Sequence, residues 1–140
     1  MQTLSEGPVI VVALLPGEEI LESLREVADA HKIGGGFFSG LGSIREADLA
    51  FFDPQKKEYV TRKFDEPMEI GNLTGNFSMM DDKRHVHCHA SISGPELISF
   101  SGHLQRAIVS VGCEIYIRKV GHEITRIKSA GSDFNPLKLT

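Results

Sequence analysis

Four of the six histidines fall within nineteen residues: His85-Val86-His87-Cys88-His89 is followed fourteen positions on by Gly102-His103-Leu104. The residues around the first group are apolar or small (Val86, Ala90, Ile92), and the pattern alternates as in a β-strand. A period of two puts His85, His87 and His89 on one face and turns Cys88 away from it, toward the core. His87 and His89 then lie roughly 7 Å apart along the strand, close enough for two imidazoles to meet at one ion. If the apolar run Leu97-Ile98-Ser99-Phe100 folds back as the antiparallel neighbour, His103 returns to the same level. Three neutral imidazoles with an open fourth position suit Zn²⁺. A surface histidine cluster or a pair of satisfied core histidines would need only the first motif. The third histidine, behind a glycine that lets backbones come close, favours the metal.

These side chains need a fold to hold them, and composition limits the choice. The chain has 140 residues, 41% hydrophobic and 24% charged, which fits one ordinary globular domain over residues 1–140 with its own core. Residues 1–7 and 129–140 read as its periphery. A net charge of −4 lacks the basic excess of a dedicated nucleic-acid binder. Cys88 and Cys113 form neither a disulfide framework nor a Cys-x-x-Cys pair. The apolar run from Val9 to Leu15 is too short for a membrane span and lacks the basic lead of a signal peptide. A reducing, cytoplasmic setting is the simplest reading.

After a polar lead, that β-branched run reads as a strand buried on both faces, turned by Pro16-Gly17. Ile20, Leu21, Leu24, Val27 and Ala28 recur at helical spacing, which predicts an amphipathic helix over residues 18–31. Glu18, Glu19 and Glu22 load its first turns, His31 and Lys32 close it, and Gly34-Gly35-Gly36 stops it. From there the chain is β-rich. Strands are expected at residues 37–39, 47–52, 59–64, 68–80 (bent at Gly71 or Gly75), 108–120 and 123–127, with a loose tail from Ser129. One helix and many strands without helical crossovers predict α+β: a mainly antiparallel, curled sheet packed on the helix. The glycines of Gly40-Leu41-Gly42-Ser43 fit neither nucleotide fingerprint and read as close-packing turns. A cupin barrel also uses His-x-His, but it needs a glutamate where Ser93 and Gly94 stand; the first is Glu96, across a turn.

Taken in order, Leu15-Pro16-Gly17-Glu18-Glu19, Ser39-Gly40-Leu41-Gly42-Ser43, Phe52-Asp53 with Glu58-Tyr59, Leu73-Thr74-Gly75-Asn76-Phe77-Ser78, His87-Cys88-His89 and Gly102-His103-Leu104 resemble the plants-and-prokaryotes conserved (PPC) domain. The resemblance runs from Pro8 to Leu137 and points to a stand-alone prokaryotic relative of the domain found in plant AT-hook proteins. It implies an α+β fold, a homotrimer, and a metal (usually zinc, one per chain) on His87, His89 and His103. His85 falls outside that ligand set. Two departures stand out: Ser101 replaces the first glycine of the usual Gly-Gly-His, and the basic AT-hook is absent.

Two kinds of function follow as expectations. The first is a trimeric zinc-binding regulatory or interaction domain, with DNA or a DNA-bound protein as partner by family analogy and water or a small anion on the metal. With so few basic residues (Arg62, Lys63, Lys83, Arg84), duplex binding should be weak and salt-sensitive. The second is a zinc hydrolase or lyase, whose general base would be Glu96 or Glu114. A small-ligand sensor anchored on the metal is a lesser variant.

Overall fold

The computed structural model describes residues 1–128 and 135–139, so the tail expected from Ser129 lies mostly outside the described residues. The elements run β1 (Gln2–Glu6), β2 (Val9–Leu14), α1 (Ile20–Ala30), β3 (Gly36–Asp53), β4 (Glu58–Phe64), β5 (Met68–Met80), β6 (Lys83–Ser93), β7 (Ser99–Lys119), β8 (Thr125–Arg126) and β9 (Leu137–Lys138). The fold is α+β: one curled, mainly antiparallel sheet and one helix. β3 pairs with β5 and β7, and β6 pairs with the same two strands, so the four close into a ring. Inside it, Phe38, Ile44, Leu73, Phe77, Ile92, Leu104 and Ile115 exclude water almost completely.

The helix forms where the apolar spacing predicts, two residues later at its start and one earlier at its end. Glu19 is its N-cap: one carboxylate oxygen accepts the Glu22 amide at 2.7 Å, and the other accepts the Ala107 amide of β7 at 2.9 Å. Ile20, Leu21, Leu24, Val27 and Ala28 face inward, and the helix packs on β6 and β7. Its end differs from expectation. Lys32, at φ 50°, takes the left-handed position assigned to the glycines, and the Ile33 amide closes onto the Ala28 carbonyl.

Several strands are longer than their sequence signals. Residues 37–39 and 47–52 belong to one strand, β3, which carries Gly40 and Gly42 through a register shift rather than a turn. β7 likewise absorbs several bulges along 21 residues. β5 has the predicted limits, with its irregularity at Gly71. β2 buries only Ile10, Val12 and Leu14; its other face is half-covered, because β1 lies beside it at the sheet edge and not above it. The polar lead is therefore an edge strand. The strand expected at 123–127 shrinks to Thr125–Arg126, in register with Met79. Leu97 and Ile98 are exposed at the β6–β7 turn, so the return strand starts at Ser99.

Candidate metal centre

β6 alternates as its sequence requires. Val86, Cys88, Ala90 and Ile92 point into the core, and His85, His87 and His89 point outward. Burial pushes the Cys88 thiol up to about 12, with Cys113 and Glu19 adding to the effect, so it is an inert core group. The register then decides what the histidines meet. His89 stands directly opposite His103 on β7. Facing residues of an antiparallel pair project to the same side, so the third ring joins the first two. Gly102 permits this approach: a Cβ there would sit 2.9 Å from the Ala50 carbonyl oxygen on β3.

The three rings form a nearly equilateral triangle. Centroids are 5.2 Å apart for His87–His89, 5.2 Å for His87–His103 and 5.5 Å for His89–His103. One nitrogen from each lies within 4.8 Å of the others. Imidazoles bound tetrahedrally at about 2.0–2.1 Å would have centroids about 5 Å apart, so the cluster has the size of a three-histidine site. His103 Nδ1 is buried without a hydrogen-bond partner, an orphan polar atom that a metal would satisfy. A divalent ion held there would act as a Lewis acid toward whatever filled its remaining position.

Neutral rings are needed for ligation, and the site favours them. His87 is lowered to about 4 by burial, then by the neighbouring charges of His103, Arg126, His89 and His85. His103 and His85 are lowered too, burial first. For His87 the folded value lies below the unfolded value of about 6.5, so the unfolded chain holds the extra proton. The stabilisation is complete above pH 6.5 and is lost as the pH falls toward 4. Discounted for the ring's solvent contact, it is about 1–2 kcal/mol. Urea midpoints of the metal-free protein should therefore drop between pH 7 and pH 4, with a flatter profile for His87→Asn. Parallel profiles would show that His87 is not held neutral.

His85 lies on the same face but outside the cluster. Glu96 and Glu114 do not come near it. Glu96 sits in the β6–β7 turn, beyond four further rungs of the ladder, roughly 13 Å. Glu114 is exposed on the outer face of β7, between Ala13 and Leu41 and eleven residues from His103. The residues that do surround the histidines carry the family resemblance in the sequence, but nothing there assigns them to the site. The Tyr59 ring lies 5.3 Å from His103 and is braced edge-on by Phe52, also at 5.3 Å. Thr74 faces His89, Asn76 faces His87 and Ser78 faces His85. The polar alternation Thr74-x-Asn76-x-Ser78 was legible as one strand face. Its place beside the histidines was not.

A model of the Plants and Prokaryotes Conserved (PCC) domain matches residues 1–121, most of the chain. The chain belongs to this family. Three solved structures are similar to the chain over nearly its whole length. A proposed DNA-binding protein from Bacteroides thetaiotaomicron is 29% identical, with a TM-score of 0.94 over 98% of this chain and 96% of that one. A metal-containing protein from Archaeoglobus fulgidus is 28% identical, with a TM-score of 0.86 over 93% and 92%. A plant- and prokaryote-conserved protein from Pyrococcus horikoshii is 27% identical, with a TM-score of 0.81 over 92% and 90%. Among curated proteins, none matches the chain. No helix among the described residues of this PCC domain is long and apolar enough to cross a membrane.

Proposed function

We propose that this PCC domain binds one Zn²⁺ per chain through His87, His89 and His103, and works as a homotrimeric binding module in the cytoplasm. The observation that carries the metal is the triangle of imidazole rings around a common centre. The metal-containing relative from Archaeoglobus fulgidus supports it. Assembly is supported by apolar side chains that the isolated chain leaves on its strands: Phe37, Leu41, Phe51, Val60, Val111 and Tyr116 are all more than half exposed. The binding reading is preferred to the enzyme because neither Glu96 nor Glu114 reaches the cluster. Light scattering combined with elemental analysis tests both parts. Three chains and three zinc ions per particle are expected, and a stable monomer or a metal-free protein would defeat the corresponding half.

DNA is a partner by kinship with the Bacteroides protein, and here the charges argue for a weak interaction. Arg84 pairs with Asp29 at 3.0 Å, Arg106 with Glu46 at 2.8 Å and Lys128 with Asp81 at 3.1 Å. The Arg62 guanidinium lies 4.8 Å over Phe64 and 4.2 Å over Phe100. The chain's net charge of −4 opposes a polyanion, and each phosphate contact contributes only about one unit of salt slope. Fluorescence anisotropy with a random duplex should show binding at low salt that vanishes near physiological ionic strength. Tight, sequence-selective binding at that salt would reverse this reading.

A further inference from the structure

The polar row of β5 beside the histidines leads to a cation that the metal site alone does not explain. Arg126 reaches back from β8 and donates from Nε to Ser78 Oγ at 2.8 Å, from Nη2 to Asn76 Oδ1 at 2.9 Å and from Nη1 to the Asn135 carbonyl at 2.7 Å. Ser78 stands opposite His85 and Asn76 opposite His87, so the guanidinium is fixed along the same face as the cluster. Facing residues have Cβ atoms about 4.5–5.5 Å apart, which makes Asn76 the bridge between the arginine and the site. We propose that the position left open beside the three histidines takes a carboxylate, oriented by Arg126 and Asn76. This rests on the metal-binding reading above.

Charge is the first reason. Among the described residues no carboxylate pairs with Arg126; its three partners are neutral. Arg84 and Arg106, by contrast, each have an acid. A partly buried guanidinium without a counter-ion is unfavourable, and burial does act against its charge. Three neutral imidazoles bring no negative charge of their own, so a divalent ion beside Arg126 would leave the face strongly positive. A neutral ligand could not relieve that, whereas an anion bridging the two cations would.

Donor geometry is the second reason. A guanidinium has five N–H groups, and the three bonds leave one on Nη1 and one on Nη2. Because Asn76 Oδ1 accepts from Arg126, its Nδ2 group is free to donate, and it donates to nothing among the described residues. Unspent planar donors beside one open coordination position match a two-oxygen acceptor, one oxygen for the metal and one for the amide and guanidinium. Whether the carboxylate belongs to a small acid or to a larger molecule, the recognised chemistry is the same.

The probe is acetate, with acetamide as its uncharged counterpart, titrated into the protein loaded with Co²⁺, whose visible spectrum reports changes in its ligands. Acetate should perturb the wild-type spectrum at far lower concentration than acetamide. Arg126→Gln should weaken acetate by about 10- to 100-fold while leaving acetamide and the cobalt content unchanged. Arg126→Lys should recover part of the loss. Asn76→Ala, which keeps two of the three bonds to Arg126, should weaken acetate by several-fold and guards against misfolding of the arginine variants. Equal acetate affinity in wild type and Arg126→Gln, with full cobalt in both, would overturn the carboxylate site alone. A wild-type protein that takes up no cobalt would overturn the metal reading itself, and this inference with it.

Discussion

His87→Ala and His103→Ala should each strip the purified protein of nearly all its metal, while His85→Ala should retain about one ion per chain. The three rings are nearly equally spaced around the triangle, so removing any corner leaves only two ligands for the ion. Zinc held by two imidazoles is expected to bind at least about 100-fold more weakly than with three. His85 shares the strand face but stands outside the cluster, which makes it the matched control for adding an alanine to the same strand. Elemental analysis after dialysis decides the matter, with far-ultraviolet circular dichroism to check that each variant folds. Copper or nickel would bind the same nitrogens, copper more tightly, so the loading metal must be fixed across the series. Full metal in the His103 variant would show that the ion sits elsewhere.

The parts of this site that could be read from the sequence are those with a short local period. Alternation from His85 to His89 fixed which side chains share a face, and the same alternation sent Cys88 to the core. His103 could be placed only by assuming an antiparallel return, and the rung His89–His103 shows that the assumption was sound. The apolar run chosen as its start was partly wrong, because Leu97 and Ile98 form the exposed turn and only Ser99 opens the strand. Glu114 was a candidate general base in a predicted strand, and its distance from the histidines had no local signal. In β7, eleven residues are a long way, roughly 30 Å or more of extended chain. Arg126 shows the opposite limit. It sits on a two-residue strand with no period of its own, and tertiary pairing alone brings it beside Asn76 and Ser78. Glycine was misread for a related reason. In β3 the chain does not turn at Gly40 and Gly42; it passes other backbones too closely for a side chain.

That close approach yields the second large effect. Gly75 lies on β5 between Cys88 of β6 and Phe38 of β3. A Cβ there would fall 2.1 Å from the His87 carbonyl oxygen and 2.4 Å from Phe38 Cζ. The oxygen belongs to the backbone, and the ring is packed against Phe77 at 5.1 Å between centroids, so neither can step aside cheaply. Gly75→Ala must therefore push β5 and β6 apart at the rung next to the one that carries the proposed ligand His87. Overpacking of this kind costs roughly 3 kcal/mol, or about 10 °C in melting temperature for a chain of this size. The same displacement should loosen metal binding, because His87 moves with its backbone while His103 stays on β7. Gly71→Ala is the internal comparison. It lies on the same strand, its nearest neighbour is the Ser91 carbonyl oxygen at 4.0 Å, and its φ is not in the left-handed region. That substitution should change stability by less than about 0.5 kcal/mol and leave the metal in place. Chemical denaturation and elemental analysis of the two variants make the comparison. If Gly75→Ala melts with the wild type and keeps its zinc, β5 and β6 have room between them that the close contacts at Gly75 deny.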